Sequence, residues 1–477
     1  MRTSSKKASE TSAKTRTSPR LVRFALCIMV FLIAFGVRVL IWHDTRLEVG
    51  KVQTTVTANY QNFAQLFRQE GIRGFFSPAS PLADTTHLGH PPGYSFVIAL
   101  VQSTTAVQFV QITFDALCAV LIFLIVSELG SAGAGLIAGL LAAFSPQLAW
   151  NSVLLLPDSL SVFPVLLAVY LLVVARRRPR LLWFFITGLL IGVSCWFRAN
   201  ALLMAVFFAG AVALIFKSRN WWRNSLAVVF GAILILAPLT LRNAIVFHRF
   251  IPVSLGAGQT LLEGIADYDE AKRFGIPETD IGIQEQEAKV FQRPDYYTGL
   301  LNPDGIQRER WRLQRGLKVI SEHPVWFGGV MVQRAASMLR LERAHLVSPN
   351  PALTQSLEAG GSPPTAVNGS QGFMWTYYPR LLIHGIQRML ITAVILPLAI
   401  LGLVILTLRQ QREALIILSV VPVYYFLVQS IFHTEYRYFL AINFFLFSFA
   451  AMAIWWVGNL LVRLVKTRFL PSGTRCL

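Results

Sequence analysis

Charged residues are scarce in this chain of 477 residues: they make up 14% of it, whereas 54% of the residues are hydrophobic. The mean hydropathy is +0.54. This composition lies far outside the range of soluble domains and excludes that class. Acidic residues are scarcer than basic ones, 24 against 43. Because the basic residues stand in short clusters beside apolar runs, where the positive-inside rule explains them, the charge excess does not predict a nucleic-acid partner.

Cysteines are also few, and their positions exclude two kinds of site. Cys27, Cys118, Cys195 and Cys476 lie in apolar stretches or in the basic C-terminal tail, without a CxxC pair. No disulfide framework or metal-thiolate site follows from them. The acidic run 267–270 lacks the later glycine and the final glutamate of a calcium loop, so we predict no metal site there.

Apolar runs of spanning length recur along the chain. The first, Leu21–Trp42, is longer than the apolar core of a secretory signal and has no cleavage site after it. Nine further runs fall near 108–128, 132–150, 158–175, 181–197, 200–216, 224–245, 382–408, 413–431 and 437–462. A run of about 17–25 apolar residues crosses a bilayer as a helix. The sequence therefore predicts an α-helical polytopic membrane protein with about ten transmembrane helices.

Lysine and arginine clusters orient these spans. Arg176–Arg180, Lys217–Arg223 and Arg409–Arg412 follow alternate spans, as expected for cytoplasmic turns. This interpretation predicts five parts of the chain. A disordered basic cytoplasmic tail, 1–20, precedes a transmembrane catalytic module, 21–245, which has an outer loop at 43–93. An external insertion, 246–380, is followed by C-terminal transmembrane helices, 381–465, and a cytoplasmic tail, 466–477. We expect 93–105, too short to cross, to form an interfacial helix, and we expect another helix over 304–322.

Two polar motifs near the first half of the predicted outer face have alternative interpretations. Gly89–Tyr94 contains paired prolines typical of a rigid elbow, and a ring nitrogen of His90 held at the membrane surface would donate to a phosphate. Pro157 and Asp158 open the fourth span. Proline and an acid are ordinary residues at a helix start, so this interpretation is preferred over a functional one for Asp158.

Arginines at the ends of spans on the outer side are less ordinary. The positive-inside rule does not explain Arg198 and Arg242, which we place at the outer side, so an anionic partner is one interpretation. The alternative is that both side chains extend to the membrane interface as anchors. The densest polar group between spans contains His433, Glu435 and Arg437. Lipid anchoring alone does not explain this run of hydrogen-bonding side chains, which predicts a binding function.

The layout and these motifs together resemble the GT-C superfamily of membrane glycosyltransferases. The resemblance rests on a first span and a long outer loop, Pro91-Pro92-Gly93-Tyr94, Pro157-Asp158, a large insertion after the seventh span, and the Glu435-x-Arg437-Tyr438 motif. Within that superfamily, the chain is most similar to bacterial relatives of aminoarabinose lipid A transferases and protein O-mannosyltransferases. It implies an inverting enzyme of the bacterial inner membrane that takes a sugar from a polyprenyl-phosphate carrier, at the outer face, to a lipid, glycan or protein acceptor, without a metal or other cofactor.

The resemblance also implies roles for particular residues. Such an enzyme needs a carboxylate as general base, which the family carries in the first outer loop. The segment 55–60 has no acid where the family has one, so the base is sought among Asp44, Glu48 and Asp84, with Glu48 and Asp84 preferred. For the lipid phosphate, His90 occupies a place similar to that of a lysine in the aminoarabinose transferases. Arg437 with His433, and also Arg198 and Arg242, are expected to supply further charge.

Two other classes have similar layouts. A flippase or transporter of lipid-linked sugars would need ionisable groups within its spans, and Asp115 is the main one here. We expect Asp115 to be a paired structural acid rather than a proton relay. A polysaccharide polymerase or ligase would also have many spans and a large outer loop.

Overall fold

The computed structural model describes residues 19–217, 220–341, 343–349 and 374–469, and these ranges contain helices and no strand. Residues 1–18 and 470–477 of the two predicted tails, and 350–373 of the second insertion, lie outside the described residues. The helices before the second insertion are α1 Pro19–Asp44, α2 Thr55–Phe75, α3 Gly93–Val101, α4 Thr104–Leu129, α5 Ala132–Phe144, α6 Pro146–Val153, α7 Asp158–Arg177, α8 Leu181–Phe197, α9 Met204–Ile215 and α10 Trp221–Phe247. Those that follow are α11 Ala257–Ala266, α12 Asp280–Phe291, α13 Gly305–Glu322, α14 Pro324–Ser337, α15 Met374–Met389, α16 Thr392–Leu408, α17 Arg412–Val428 and α18 Ala441–Phe469.

All ten predicted apolar runs are helical, and the all-α membrane fold is confirmed. Among the described residues, six helices are long and apolar enough to cross a bilayer by themselves: α1, α4, α7, α10, α17 with its 3-10 extension, and α18. Two bent helix pairs, α5 with α6 and α15 with α16, are long and apolar enough only when each pair is taken together, which gives up to eight spans. The runs in α8 and α9 form shorter apolar helices. The predicted helices over 93–105 and 304–322 are present as α3 and α13.

The two bent pairs differ from the continuous spans that hydropathy predicts. The axes of α5 and α6 differ by 51°, because the Ser145 hydroxyl accepts from the Leu148 amide and Pro146 begins a new helix. The axes of α15 and α16 differ by 63° at Ile391, whose backbone is extended. Apolar character alone does not reveal such breaks.

Close helix contacts and one buried ion pair define the membrane part. A Cβ built on Gly188 of α8 would lie 2.0 Å from the Val228 carbonyl of α10, so these backbones touch in a way that only glycine allows. Arg38 of α1 donates to Asp115 of α4 at 2.5 Å, and both side chains are buried. The expectation that Asp115 is a paired acid is confirmed.

The second insertion has its own packed centre. Apolar side chains of α11, α12, α13 and α14 form a separate cluster that includes Leu262 and Phe327. Beside it, Arg308 and Arg312 both pair with Glu287 at 2.6–2.8 Å, and all three side chains are fully buried. These shared bonds compensate the buried Glu287 carboxylate and hold α12 against α13.

Candidate functional site

Three of the predicted site residues meet where α7 begins, where α8 ends and in the loop between α17 and α18. Arg198 directly follows α8, and its Nη2 lies 3.2 Å from Oδ1 of Asp158, the first residue of α7. Neither oxygen of Asp158 accepts a hydrogen bond of good geometry within the described residues, although both are buried. A buried carboxylate without such bonds is costly, so it is suited to accept them from a ligand.

Arg437 adds a second guanidinium to this group. It donates to Glu435 and has Asp158 as its other acidic neighbour. Burial lowers the pKa of Arg437, but these two carboxylates outweigh it and raise the pKa above its usual range. Asp158 and Glu435 therefore hold Arg198 and Arg437 close together although the arginines repel each other.

Tyr438 and its neighbours hold the two arginines in place. The Tyr438 ring lies 4.2 Å from the Arg198 guanidinium and 5.4 Å from that of Arg437. The Tyr438 carbonyl accepts from the Asn200 amide at 2.8 Å, and the Asn200 carbonyl accepts from the Tyr424 hydroxyl. The end of α8 is thus tied to the last loop by both cation–π and hydrogen-bond contacts.

His90 lies in the same group and is uncharged. Its ring stacks on Tyr60 with centroids 5.0 Å apart. Burial, together with the charges of Arg198 and Arg437, lowers the pKa of His90 to about 4. A neutral imidazole presents one N–H donor and one acceptor, so His90 supplies a hydrogen bond rather than a charge. The Tyr60 hydroxyl is buried without a hydrogen bond of good geometry, and burial raises the pKa of this phenol.

The three candidate bases have different surroundings. Asp44 is buried and accepts from Arg380 at 2.8 and 2.9 Å and from the Ser348 amide at 2.9 Å. Asp84 is exposed, where it caps a 3-10 turn by accepting from the Thr86 amide. Asp44 and Asp84 thus have structural partners.

Glu48 is half-buried, and its Oε2 lies 3.4 Å from Nε2 of His345. The Lys51 carbonyl, three residues after Glu48, accepts from the Leu155 amide, three residues before Asp158, at 3.0 Å. This bond ties the turn that carries Glu48 to the segment that leads into α7. The structure therefore brings Glu48 to the side of the cluster where α7 begins.

Arg242 lies apart from this group. Its guanidinium donates to the carbonyls of Phe75 at 3.1 Å and Leu82 at 2.5 Å, and it also packs on the Phe75 ring at 4.9 Å. These bonds fasten the first insertion to α10. Arg242 thus supports the loop that leads to His90.

His433 connects the last loop to the second insertion. Its Nδ1 lies 2.6 Å from Asp267, and its amide donates to the Thr260 carbonyl at 2.7 Å. The bond to Asp267 raises the pKa of His433. On its other side, Nε2 lies 4.0 Å from Glu435. The buried Arg334 reinforces the junction by donating to the carbonyls of residues 430, 431 and 264.

Sequence reasoning missed several of these residues. Tyr60 closes the segment 55–60 but was given no role, whereas Arg380 and His345 stand in no motif and their partners are distant in the chain. A weak signal exists only for Arg380, which is a charge next to a predicted span. No group of three or more metal-ligating side chains occurs within the described ranges.

Comparisons with known proteins give a family match that includes part of the site. Residues 89–241 match the family model described as dolichyl-phosphate-mannose-protein mannosyltransferase. A comparison with curated proteins gives no match. Among solved structures, the Archaeoglobus fulgidus oligosaccharyltransferase in the apo form is 15% identical with a TM-score of 0.49, covering 96% of this chain and 53% of that one. The oligosaccharyltransferase AglB of the same organism, in complex with an inhibitory peptide and a dolichol-phosphate, is 13% identical with a TM-score of 0.47 and the same coverage.

This chain thus spans about half the length of those solved structures. The segment that matches the family model contains His90, Asp158 and Arg198. Over residues 89–241 the chain is therefore similar to a family of membrane mannosyltransferases, in agreement with the resemblance that its motifs indicate.

Proposed function

We propose that this protein is an inverting glycosyltransferase that moves a sugar from a polyprenyl-phosphate carrier to a lipid, glycan or protein acceptor. The observation that carries the proposal is the group formed by the buried Asp158 and the partly exposed Arg198 and Arg437, with His90 beside it. Two arginines that remain accessible, next to a buried carboxylate without good hydrogen bonds, favour a ligand with both a phosphate and hydroxyl groups. A sugar linked to a lipid phosphate has both.

In this proposal Arg198 and Arg437 bind the carrier phosphate. As the bond between the sugar and the phosphate breaks, negative charge grows on the leaving oxygen, and donors already in place stabilise it. Guanidinium groups suit this role because they present parallel N–H donors to phosphate oxygens. The neutral His90 adds one N–H donor, and Asp158 accepts from sugar hydroxyls.

Glu48 is the general base of this proposal. The acceptor hydroxyl gives its proton to Glu48 as its oxygen attacks the anomeric carbon, and the carrier phosphate leaves from the opposite face with the bonding electron pair. One displacement of this kind inverts the anomeric centre. The arrangement supports Glu48 over its rivals, because Asp44 is engaged by Arg380 and Asp84 caps an exposed turn.

The charge distribution supports an active site at the outer face of a bacterial cytoplasmic membrane. Glu128, at the end of α4, pairs with Arg23 and Arg177, near the start of α1 and at the end of α7. Site residues lie at the opposite ends of these helices. Since basic clusters favour the cytoplasmic side, the site falls on the outer side.

A lipid profile of cells with and without the protein tests the proposal. We expect cells without it to accumulate one glycosylated polyprenyl monophosphate, detected by mass spectrometry, and the wild-type chain to remove it. Glu48→Gln and Arg198→Ala should fail to do so at wild-type protein levels. An unchanged lipid profile would contradict the proposal, whereas full complementation by both variants would favour a flippase.

A further inference from the structure

A short segment of the second insertion contacts the proposed base. It runs over 343–349, between α14 and α15, and places His345 beside Glu48. Nε2 of His345 lies 3.4 Å from Oε2 of Glu48, an oxygen that is buried and has no other partner of good geometry within the described residues. The Glu48 side chain as a whole is 33% exposed. The carboxylate thus faces the imidazole with its buried oxygen and keeps part of its surface accessible.

An aromatic ring also contacts the imidazole. The ring of Trp150 of α6 is tilted against that of His345, with centroids 4.1 Å apart and an interplanar angle of 37°. Trp150 is also a neighbour of the Tyr436 phenol, next to Arg437. Trp150 thus connects the pair formed by Glu48 and His345 to the loop that carries Arg437.

Both backbones that carry the pair are fixed. The Val347 amide donates to Gln387 at 2.7 Å, and its carbonyl accepts from Nδ1 of His384 at 2.9 Å. On the other side, Nζ of Lys51 donates to the Thr45 carbonyl at 2.6 Å and so closes the turn around Glu48. Since each partner lies on an anchored segment, their contact does not depend on long flexible side chains meeting by chance.

We propose that His345 is the positioning residue of the general base: its Nε2–H donates to Oε2 of Glu48 and directs Oε1 toward the acceptor hydroxyl. This role rests on the proposed function. The imidazole orients the carboxylate and forms no bond to substrate, and the proton of the acceptor goes to Oε1. Other ionisable groups near the pair are Asp44, Arg380, His43 and His384, of which Asp44 and Arg380 are bonded to each other.

The test compares variants of purified protein in lipid nanodiscs, with the glycosylated polyprenyl phosphate identified by lipid profiling as donor and membrane lipid extract as acceptor source. We expect His345→Ala to lower kcat roughly 10- to 100-fold with little change in KM, which is less than the roughly 10²–10⁴-fold contribution of a general base itself. His345→Gln, whose amide places an N–H near the position of Nε2, should recover much of the rate.

A double variant and a matched control separate positioning from folding. Glu48→Gln combined with His345→Ala should be no slower than Glu48→Gln alone, because both act on one proton transfer. His248→Asn is the control, since His248 is an exposed histidine whose left-handed backbone asparagine tolerates. It should keep the wild-type rate.

Two results would overturn the role, and they are distinguishable. If wild type transfers sugar and His345→Ala keeps its rate, the positioning role is wrong while the proposed function stands. If wild type consumes no glycosylated polyprenyl phosphate, the proposed function fails and the role fails with it. Should His345→Ala not fold, His345→Leu, which fills the space without a hydrogen-bond donor, takes its place, and a wild-type rate for His345→Leu would overturn the role.

Discussion

Replacement of Arg437 by alanine tests the proposed phosphate site most directly. The side chain is 19% exposed, donates to Glu435 and has Asp158 as its second acidic neighbour. If it stabilises charge on the leaving phosphate, its loss should lower the transfer rate by about 10²–10³-fold, or about 3–4 kcal/mol in transition-state stabilisation.

The same change also affects folding, and the structure indicates how much. Glu435 is 39% exposed, so solvent takes over most of its lost pairing, at a cost of about 1 kcal/mol or less. Asp158 is buried, but Arg198 remains 3.2 Å from it. We therefore expect a small decrease in Tm beside a large decrease in rate.

The assay measures the initial rate of donor consumption in nanodiscs and the thermal unfolding of the same samples. Arg437→Lys keeps the charge without the planar fork of donors and should fall between wild type and Arg437→Ala. Arg310→Ala, which removes an exposed arginine from the second insertion, is the control and should match wild type. A rate for Arg437→Ala within threefold of wild type would refute the role in phosphate binding.

Three further predictions concern stability, loop anchoring and topology. Burial and Asp280 raise the pKa of Glu263 to about 9, against 4.5 for an ordinary glutamate. Folding therefore takes up a proton between these values, and the free energy of unfolding should fall as the pH rises from 4.5 to about 9. Glu263→Gln should remove that fall, and an equal dependence of Tm on pH in wild type and variant would contradict the prediction. Arg242→Ala leaves two carbonyls of the first insertion without their donor, which should destabilise the loop by roughly 1–3 kcal/mol for each carbonyl. Amide hydrogen exchange around Leu82 should therefore become faster. Unchanged exchange there would show that other contacts anchor the loop. Ser321→Cys, at an exposed position of the second insertion, should react with an impermeant thiol reagent in intact cells. Gln411→Cys, at an exposed turn of the predicted cytoplasmic side, should react only after permeabilisation. The reverse pattern would show that the predicted orientation is wrong.

Residues near each other in the chain account for what was predicted correctly. The apolar runs became helices, and the short segment after Pro92 and the amphipathic stretch that ends at Glu322 became α3 and α13. Arg198 also attracted attention by a local signal, because a charge at the outer end of a span is unusual, and it does pair with an acid. Hydropathy, helical period and charge placement are all local properties.

Tertiary packing decided which charges meet and what each can therefore do. Asp44 and Arg380 are 336 positions apart, and their bond turns a candidate base into a buried anchor. Glu48 meets His345, and Asp158 meets both Arg198 and Arg437, only because distant helices end at the same level. Burial of apolar surface drives each helix into the membrane whatever lies beside it, so the sequence alone determined the class and the positions of the apolar helices, though not the breaks within two of them. The identity of the partners depends on how those helices pack, so the candidate site was decided by the tertiary structure.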